Sequence, residues 1–405
     1  MDDEPVSIVM VGISGYGYYY LKNLLEDFNK EEVRIPGVAD PYADKSPLYN
    51  EIAQRGIRVY LTLEEFYNEG GQADLVVISS PIHYHVEQTC IALSHGSNVL
   101  CEKPMGTVVQ DMEKVYKIRE ESGRWVMIGY QWSYSEAIQA LKKDIMSGLF
   151  GKPKRLKSLC FWPREKAYYK RNSWAGKIAD GEGRWILDSP PGNAMAHFVH
   201  NMFYLIGTER DRSIQPVEVI AECYRVYPIE NFDTGVFRAF TAEGTEILFY
   251  GSHVTENEKN PVFQIEFEEA VITFDDRDKE IIARDRKGRE KKYGSPDDDN
   301  QFLKLYKAIR TVKNHTTPVC GPEAASSQIL CVNGIQESVK QITDIPPALT
   351  QSDKHRQRRW IAGIDNLLLD CYGNNVLPHE KEVSWSRPGR NIDLRNYNWF
   401  PGGNE

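Results

Sequence analysis

"SIVMVGISGYGYYYLKNLL", Ser7–Leu25, decides the fold of the chain's first third. Ile8 to Val11 is a short apolar run that reads as a buried strand. Glycines follow at Gly12, Gly15 and Gly17, and then apolar residues at helical spacing. A dinucleotide-binding turn asks for G-x-G-x-x-G directly after such a strand. Laid on Gly12 and Gly17, that template puts Ser14 where the middle glycine belongs. Gly12 makes the tight exit from the strand, and Gly17 lets the helix pack closely on the sheet. The middle position must let backbone N–H groups reach a pyrophosphate at the helix N-terminus. Serine is small and its hydroxyl donates to phosphate, while Gly15 beside it keeps the loop flexible. Alone, such a turn is a weak signal, and plain turn punctuation is its rival.

Outward from this stretch, strand and helix alternate. Apolar bursts at Val6–Val11, Ile35–Ala39, Leu75–Ser79, Asn98–Cys101 and Trp125–Ile128 are separated by amphipathic runs that close on glycine. That rhythm predicts a doubly wound parallel sheet with helices on both faces. The second strand ends in "GVADP", which sets Asp40 where an acidic residue takes the adenosine ribose hydroxyls. Its charge repels a 2′-phosphate and favours NAD over NADP. The rival reading is a turn former before Pro41. Ser133–Phe150 has helical period and links to a second half of different rhythm. There, consecutive strand-like runs from "RLKSLCFW" to "AVITFDD" predict an α+β domain with a large, mostly antiparallel open sheet. Helical period returns in "NQFLKLYKAIRTVKN", "AASSQILCVNGIQESVKQI" and "RRWIAGIDNLLLDCYG", before a proline- and tryptophan-punctuated tail. The expected division is 1–130, 131–345 and a carboxy-terminal extension 346–405.

Composition narrows the function classes. The 405 residues are 41% hydrophobic and 26% charged, as in a globular protein of two domains. A net charge of -9 argues against nucleic acid or an anionic membrane as partner. No apolar run approaches the ~20 residues that span a bilayer. "MDDEPVS" lacks a signal-peptide core, and the 7 cysteines form no C-x-x-C pair. A reducing cytoplasm is therefore the expected location.

The stretch "VVISSPIHYHVEQTCIALSHGSNVLCEKP", Val76–Pro104, together with "GISGYG" and the weaker "GNAMAHFVHNMFYLIG", Gly192–Gly207, resembles the glucose–fructose oxidoreductase, inositol dehydrogenase and MocA family (Gfo/Idh/MocA). The resemblance runs from about Ser7 to Gly207. It implies a Rossmann domain followed by an α/β domain whose open sheet binds substrate and often a sister subunit, hence a homodimer or homotetramer. It also implies hydride transfer between a nicotinamide cofactor and a sugar or polyol. On that pattern Gly12, Ser14, Gly15, Tyr16, Gly17, Asp40, Ser80, Pro81, His85, Glu102, Lys103 and Gln131 form the cofactor set. Lys103 lies beside the nicotinamide, where its charge favours a developing alkoxide. His85 reads as helix-start structure, and Glu102 shapes the loop with Pro104.

Aligned from Gly207, His197 matches the family histidine. A secondary alcohol needs a base for its proton, and histidine titrates in the right range. Asn193 and His200 lie one helical turn to either side, so the three residues are expected on one face. Asn193 cannot exchange protons and positions substrate or histidine. His200 departs from the more usual aspartate. A pair of packed helical histidines is the rival, and a metal site lacks further ligands at recognisable spacing. "FWPREKAYYKRNSWAGKIADGEGRW" mixes aromatics, which suit sugar rings, with cations. Trp162, Arg164, Tyr169, Trp174 and Lys177 are its substrate-binding candidates. Besides a sugar dehydrogenase, two readings stay open: a glycosidic-bond cleaver using transient NAD-linked oxidation, and a sensor that has lost catalysis.

Overall fold

The computed structural model describes residues 4–275 and 277–402. β1 (Val6–Val11), β2 (Val33–Ala39), β3 (Arg58–Tyr60), β4 (Leu75–Ile78), β5 (Asn98–Cys101) and β6 (Val126–Ile128) form a parallel sheet in the order β3-β2-β1-β4-β5-β6. Val11 pairs with Ala39 on one side and Ile78 on the other. β1, β4 and β5 are buried along their whole length, as expected for strands covered on both faces. The covering helices are α1 (Tyr16–Glu26), α2 (Tyr49–Gln54), α3 (Leu63–Asn68), α4 (His85–Ser94) and α5 (Val109–Ser122). Strand order reverses between β1 and β4, which opens a crevice at their carboxyl ends.

Farther along the chain come α6 (Glu136–Met146), α7 (Ala196–Leu205), α8 (Leu303–Asn314), α9 (Pro322–Ser338) and α10 (Ile364–Asn374). One compact unit comprises the residues up to Gly106, Gln110–Tyr134 and Asp299–Ala325. The other comprises Thr107–Val109, Ser135–Asp298 and the chain from Ser326 on. This differs from the division at residues 130 and 345. α8 belongs to the first unit, where Leu305, Ala308 and Ile309 are buried and the helix contacts β1 and β5. Helical period shows that a segment has an apolar face, but not which core that face serves.

The second unit holds β7 (Pro153–Phe161), β8 (Pro216–Arg225), β9 (Thr234–Thr241), β10 (Glu246–Ser252), β11 (Lys259–Phe267), β12 (Ala270–Asp275), β13 (Glu280–Asp285), β14 (Glu290–Lys292) and β15 (Thr343–Asp344). A hairpin of β16 (Thr350–Asp353) and β17 (Arg358–Ile361) follows, then the short β18 (Ile392–Asp393). The large sheet runs β14-β13-β12-β11-β7-β10-β9-β8-β15, with β18 added to β8. It is antiparallel except where β10 meets β7 and β15 meets β8. Every strand-like run of the sequence from "RLKSLCFW" to "AVITFDD" is a strand of this sheet. "RRWI", expected to be helical, is β17, and the helix starts at Ile364.

One face of the sheet meets α7, which packs on β7. On the opposite face, Leu159, Phe161, Tyr224, Val236, Leu248 and Tyr250 form one apolar cluster with Ile364, Leu368 and Cys371 of α10. Buried Lys157 donates from this face to Tyr372 O and Asn375 Oδ1, both at 2.8 Å. The sheet is open in topology, yet this face is roofed by the chain's own segment from Ile345 to Trp385. Segment 346–405 is thus part of the second unit's core rather than an appendage.

Candidate functional site

In the first unit, the chain leaves β1 at Gly12, whose φ is +79°. A Cβ there would lie 2.9 Å from the backbone of Ser79 and Ser80, beyond β4. A Cβ at Gly17 would lie 2.1 Å from the Gly12 carbonyl oxygen. Both glycines are therefore dictated by close backbone approach, as the sequence predicts. Gly15 precedes α1 with φ 57° and ψ -120°, a conformation reserved for glycine. Ser14 is exposed, so the freedom usually carried by the middle glycine sits one residue later. The first turn of α1 carries no capping side-chain bond and no acidic residue, leaving the positive end of the helix to an anion. Beside it the buried Tyr16 hydroxyl has no hydrogen-bond partner among the described residues.

Asp40 is buried, and its two oxygens accept from the Ile13 N–H at 2.9 Å and the Tyr42 N–H at 2.8 Å. It ties the glycine turn to the end of β2, so its turn-forming role is what the bonds show. A carboxylate has about four acceptor positions, and the others fit a ribose diol. After β4, Ser80 donates to Gln88 Oε1 at 2.5 Å, and Pro81 opens the short turn Ile82–Tyr84. The His85 ring lies 2.7 Å from Pro104 O and 2.9 Å from Ser80 O, clamping the β4 loop to the β5 loop. Burial holds this imidazole below its ordinary pKa.

The "EKP" loop after β5 is built on Glu102. Its carboxylate accepts from Tyr20 Oη at 2.7 Å, from Lys304 Nζ, and from the Lys103 N–H at 3.2 Å. Burial pushes the carboxyl up, but Lys304, Tyr20 and Lys103 outweigh it and hold the group below its ordinary value. Glu102 thus shapes the loop and has its oxygens engaged by protein donors. Lys103 is half-buried and joined to Pro104 by a cis peptide bond. Gln131 is half-buried in the turn Gln131–Tyr134 after β6. Sequence reading missed Tyr20 and Lys304. The signal for Lys304 was a lone cation between Phe302 and Leu305, both buried.

The second unit carries the histidine constellation. Asn193 lies in a π-helical turn, Pro190–Ala194, and not on the helix with the histidines, which starts at Ala196. The Met195 N–H bonds back to Pro190 O at 2.8 Å, closing this wider turn before α7 begins. Only His197 and His200 share α7. His197 is half-buried, whereas His200 is buried and stacked on Tyr204 at 5.3 Å. Asn193 donates from Nδ2 to Asp188 Oδ1 at 2.7 Å, and Asp188 Oδ2 accepts from the Gly176 N–H at 2.6 Å. Asp188, which sequence reading missed, thereby fixes the side chain of Asn193.

The aromatic and cationic candidates divide. Trp162 packs edge-on against Phe198, the neighbour of His197, at 5.3 Å. The Arg164 guanidinium lies 5.6 Å from the Trp162 ring and 4.6 Å from the Tyr168 ring. Trp174 lies under Arg171 at 5.1 Å. Tyr169 instead joins the sheet cluster, with its hydroxyl 3.3 Å from His253 Nδ1. Lys177 is taken by an ion pair with Glu230. His253, also missed, is held well below its ordinary pKa by burial and then by Arg164 and Arg171. Nearby Asp233 is pushed up to about 7 by burial. Among the described residues no group of three or more histidines, cysteines or carboxylates is arranged to hold a metal ion.

Residues 6–130 match the family described as an oxidoreductase family with an NAD-binding Rossmann fold (GFO_IDH_MocA). The chain is 31% identical over 142 residues to the rhizopine catabolism protein MocA of Rhizobium meliloti, 35% of this chain and 43% of that protein. It is 29% identical over 156 residues to an inositol 2-dehydrogenase of Rubrobacter xylanophilus, 38% and 43% of the two. The chain thus spans less than half the length of the curated relatives it matches. In fold the likeness reaches farther. The WlbA dehydrogenase of Bordetella pertussis, solved with NADH and UDP-GlcNAcA, superposes with a TM-score of 0.66 at 19% identity over 82% of this chain and 95% of that one. An aldose-aldose oxidoreductase of Caulobacter crescentus, complexed with glycerol, gives 0.65 at 17% identity over 82% and 96%.

Proposed function

This chain belongs, through its amino-terminal domain, to the Gfo/Idh/MocA oxidoreductase family, and from that premise we propose that it is an NAD-dependent dehydrogenase of a sugar, polyol or sugar derivative. The observation that carries the reading is the cradle at the crevice between β1 and β4. There Gly12 and Gly17 leave no room for a Cβ, and the first turn of α1 is open to a pyrophosphate. NAD supplies hydride acceptance when bound. Asp40, anchored on the Ile13 and Tyr42 N–H groups, takes the ribose hydroxyls and disfavours a 2′-phosphate. Tyr16, Ser80, Pro81 and Gln131 line the cofactor side of the first unit.

In this proposal His197 accepts the proton of the substrate hydroxyl, and Lys103 offsets the negative charge that develops on that oxygen. Asn193 orients the substrate. The carboxylate of Asp188 takes its Nδ2, so the amide oxygen is the end presented to a hydroxyl. Buried His200 acts from behind His197, through the packing of α7. The substrate class rests on inositol 2-dehydrogenase and the sugar-handling structures of like fold.

Variants test the assignment on whichever sugar the protein turns over. His197→Ala should cost ~10²–10⁴ in rate, and Lys103→Ala roughly 10²–10³. Both should leave NADH affinity, read by fluorescence titration, nearly unchanged. Because the two serve one transition state, the double variant should lose much less than the product of the single losses. Near-normal turnover in either alanine variant removes that residue from the reaction.

A further inference from the structure

Arg164 is fixed at its backbone and unanswered at its charge. Its N–H donates to His253 O at 2.9 Å, and its carbonyl accepts from Tyr227 Oη at 2.7 Å. Among the described residues, its guanidinium meets neither a hydrogen-bond acceptor nor a carboxylate within ion-pair distance, although the residue is only partly exposed and its Nε is buried. The Trp162 and Tyr168 rings hold it in place, and ring faces supply no lone pairs. On the same Tyr168 ring, at 3.7 Å, lies a second guanidinium, that of Arg171. Arg171 differs in being answered. It donates to Tyr168 O at 2.7 Å and lies 3.8 Å from Asp188.

Among the described residues, the ion pairs and hydrogen bonds of this cluster set two cations against one carboxylate, and that carboxylate faces Arg171. His253 is held neutral, so it adds no charge of its own. Asp188 is spent on Gly176 and Asn193 as well as on Arg171. A partly buried guanidinium without acceptors is a costly arrangement for a purely structural role, because both its charge and its donors go unpaired. It is the usual arrangement for receiving an oxyanion, whose two oxygens match the planar fork. The cluster also adjoins the proposed reaction centre within the second unit. Arg164 lies over Trp162, Trp162 packs on Phe198, and Phe198 follows His197.

We propose that the sugar substrate is anionic, carrying a carboxylate or a phosphate, and that Arg164 receives that group while Arg171 and Asp188 hold the surrounding loop. The proposal rests on the dehydrogenase reading and narrows its substrate to sugar acids or sugar phosphates. Trp162 and Tyr168 then flank the anion's guanidinium partner and give it its orientation.

The test is binding to the NADH-loaded protein, measured by calorimetry with D-glucuronate, D-galacturonate and glucose 6-phosphate beside neutral glucose, galactose and myo-inositol. At least one anionic sugar should bind roughly 10–100-fold more tightly than its neutral partner, the range of a charge-assisted pair. A uronate preference identifies the carboxylate, and a phosphate preference the alternative source. Arg164→Gln should bring anionic and neutral sugars to within a fewfold of each other. It should raise KM much more than it lowers kcat and leave NADH affinity and the circular dichroism spectrum as in the parent. Arg164→Lys should recover part of the preference, since it restores the charge without the fork. Equal binding of neutral and anionic sugars, failure of every anionic sugar to bind, or an undiminished preference in Arg164→Gln overturns the proposal. Anionic binding without any turnover would leave this site standing and count against the dehydrogenase reading. Turnover of neutral sugars with no charge preference would do the reverse.

Discussion

Lys304 and Glu102 lie 202 residues apart in the sequence and meet in the interior of the first unit. Both are buried, and with Tyr20 they form the post on which the "EKP" loop stands. Removing one member of a buried ion pair leaves the other charge uncompensated, which typically costs ~3–5 kcal/mol. Lys304→Met should therefore lower stability by about that amount in urea unfolding. The pH dependence follows from the direction of the Glu102 shift. A carboxyl held below its ordinary value in the folded state contributes its stability above that value, and loses it as pH falls through the folded one. The gap between parent and Lys304→Met should thus be full at neutral pH and narrow in acid. Parent-like stability of the variant at neutral pH would contradict the role given to the pair. The sequence displayed Glu102 inside a recognisable motif, whereas Lys304 stood in a helix assigned to the other domain. Its partner was invisible because a buried charge names the need for a counter-charge without naming its position.

At the scale of elements, α10 decides which surfaces are free. The face of the large sheet that the family resemblance would offer to a sister subunit is covered by Ile364, Leu368 and Cys371 of the same chain. We propose that any homodimer or homotetramer of this chain uses a surface other than the part of the sheet that α10 covers. Leu368→Ala removes a fully buried side chain from that roof and should lower stability by ~2–5 kcal/mol while leaving the sedimentation coefficient unchanged. A shift in oligomeric state in that variant would show the covered face to be the interface after all. The strands under α10 were legible because β9, β10 and β11 are consecutive short runs rich in aromatic and β-branched residues with no helical stretch between them. β13 and β14 were not, since Arg284, Asp285, Glu290 and two lysines give their segments the look of solvated turns. The turn before α7 was misread for a different reason. Asn193 keeps helical spacing to His197 in the sequence, but the chain winds Pro190–Ala194 as a wider π-turn, closed by the Met195 N–H on Pro190 O, and α7 starts only at Ala196, so Asn193 is set on Asp188 instead.

For the whole molecule, the glycine turn carries most of the functional argument and was also its most legible part. Gly12 and Gly17 need no long-range information, since contact of one backbone with another is written in the absence of a side chain. The substrate end was legible only as a pool of residues, because pairing decides which cation is free. Lys177 is neutralised by Glu230 and Arg171 is shared with Asp188, while Arg164 is left over. Among the described residues no helix is long and apolar enough to cross a membrane. The central claim is that this chain passes a hydride between NAD and a sugar carbon, with His197 as the base. Its most direct test is to incubate the protein and NAD with sugars deuterated at their carbinol carbons, uronates and sugar phosphates included, and to follow deuterium on the nicotinamide by mass spectrometry. Label should appear with the parent protein and be lost in His197→Ala, whose NADH binding stays intact. NAD bound tightly but never labelled by any sugar would contradict the claim and leave a binding protein in place of an enzyme.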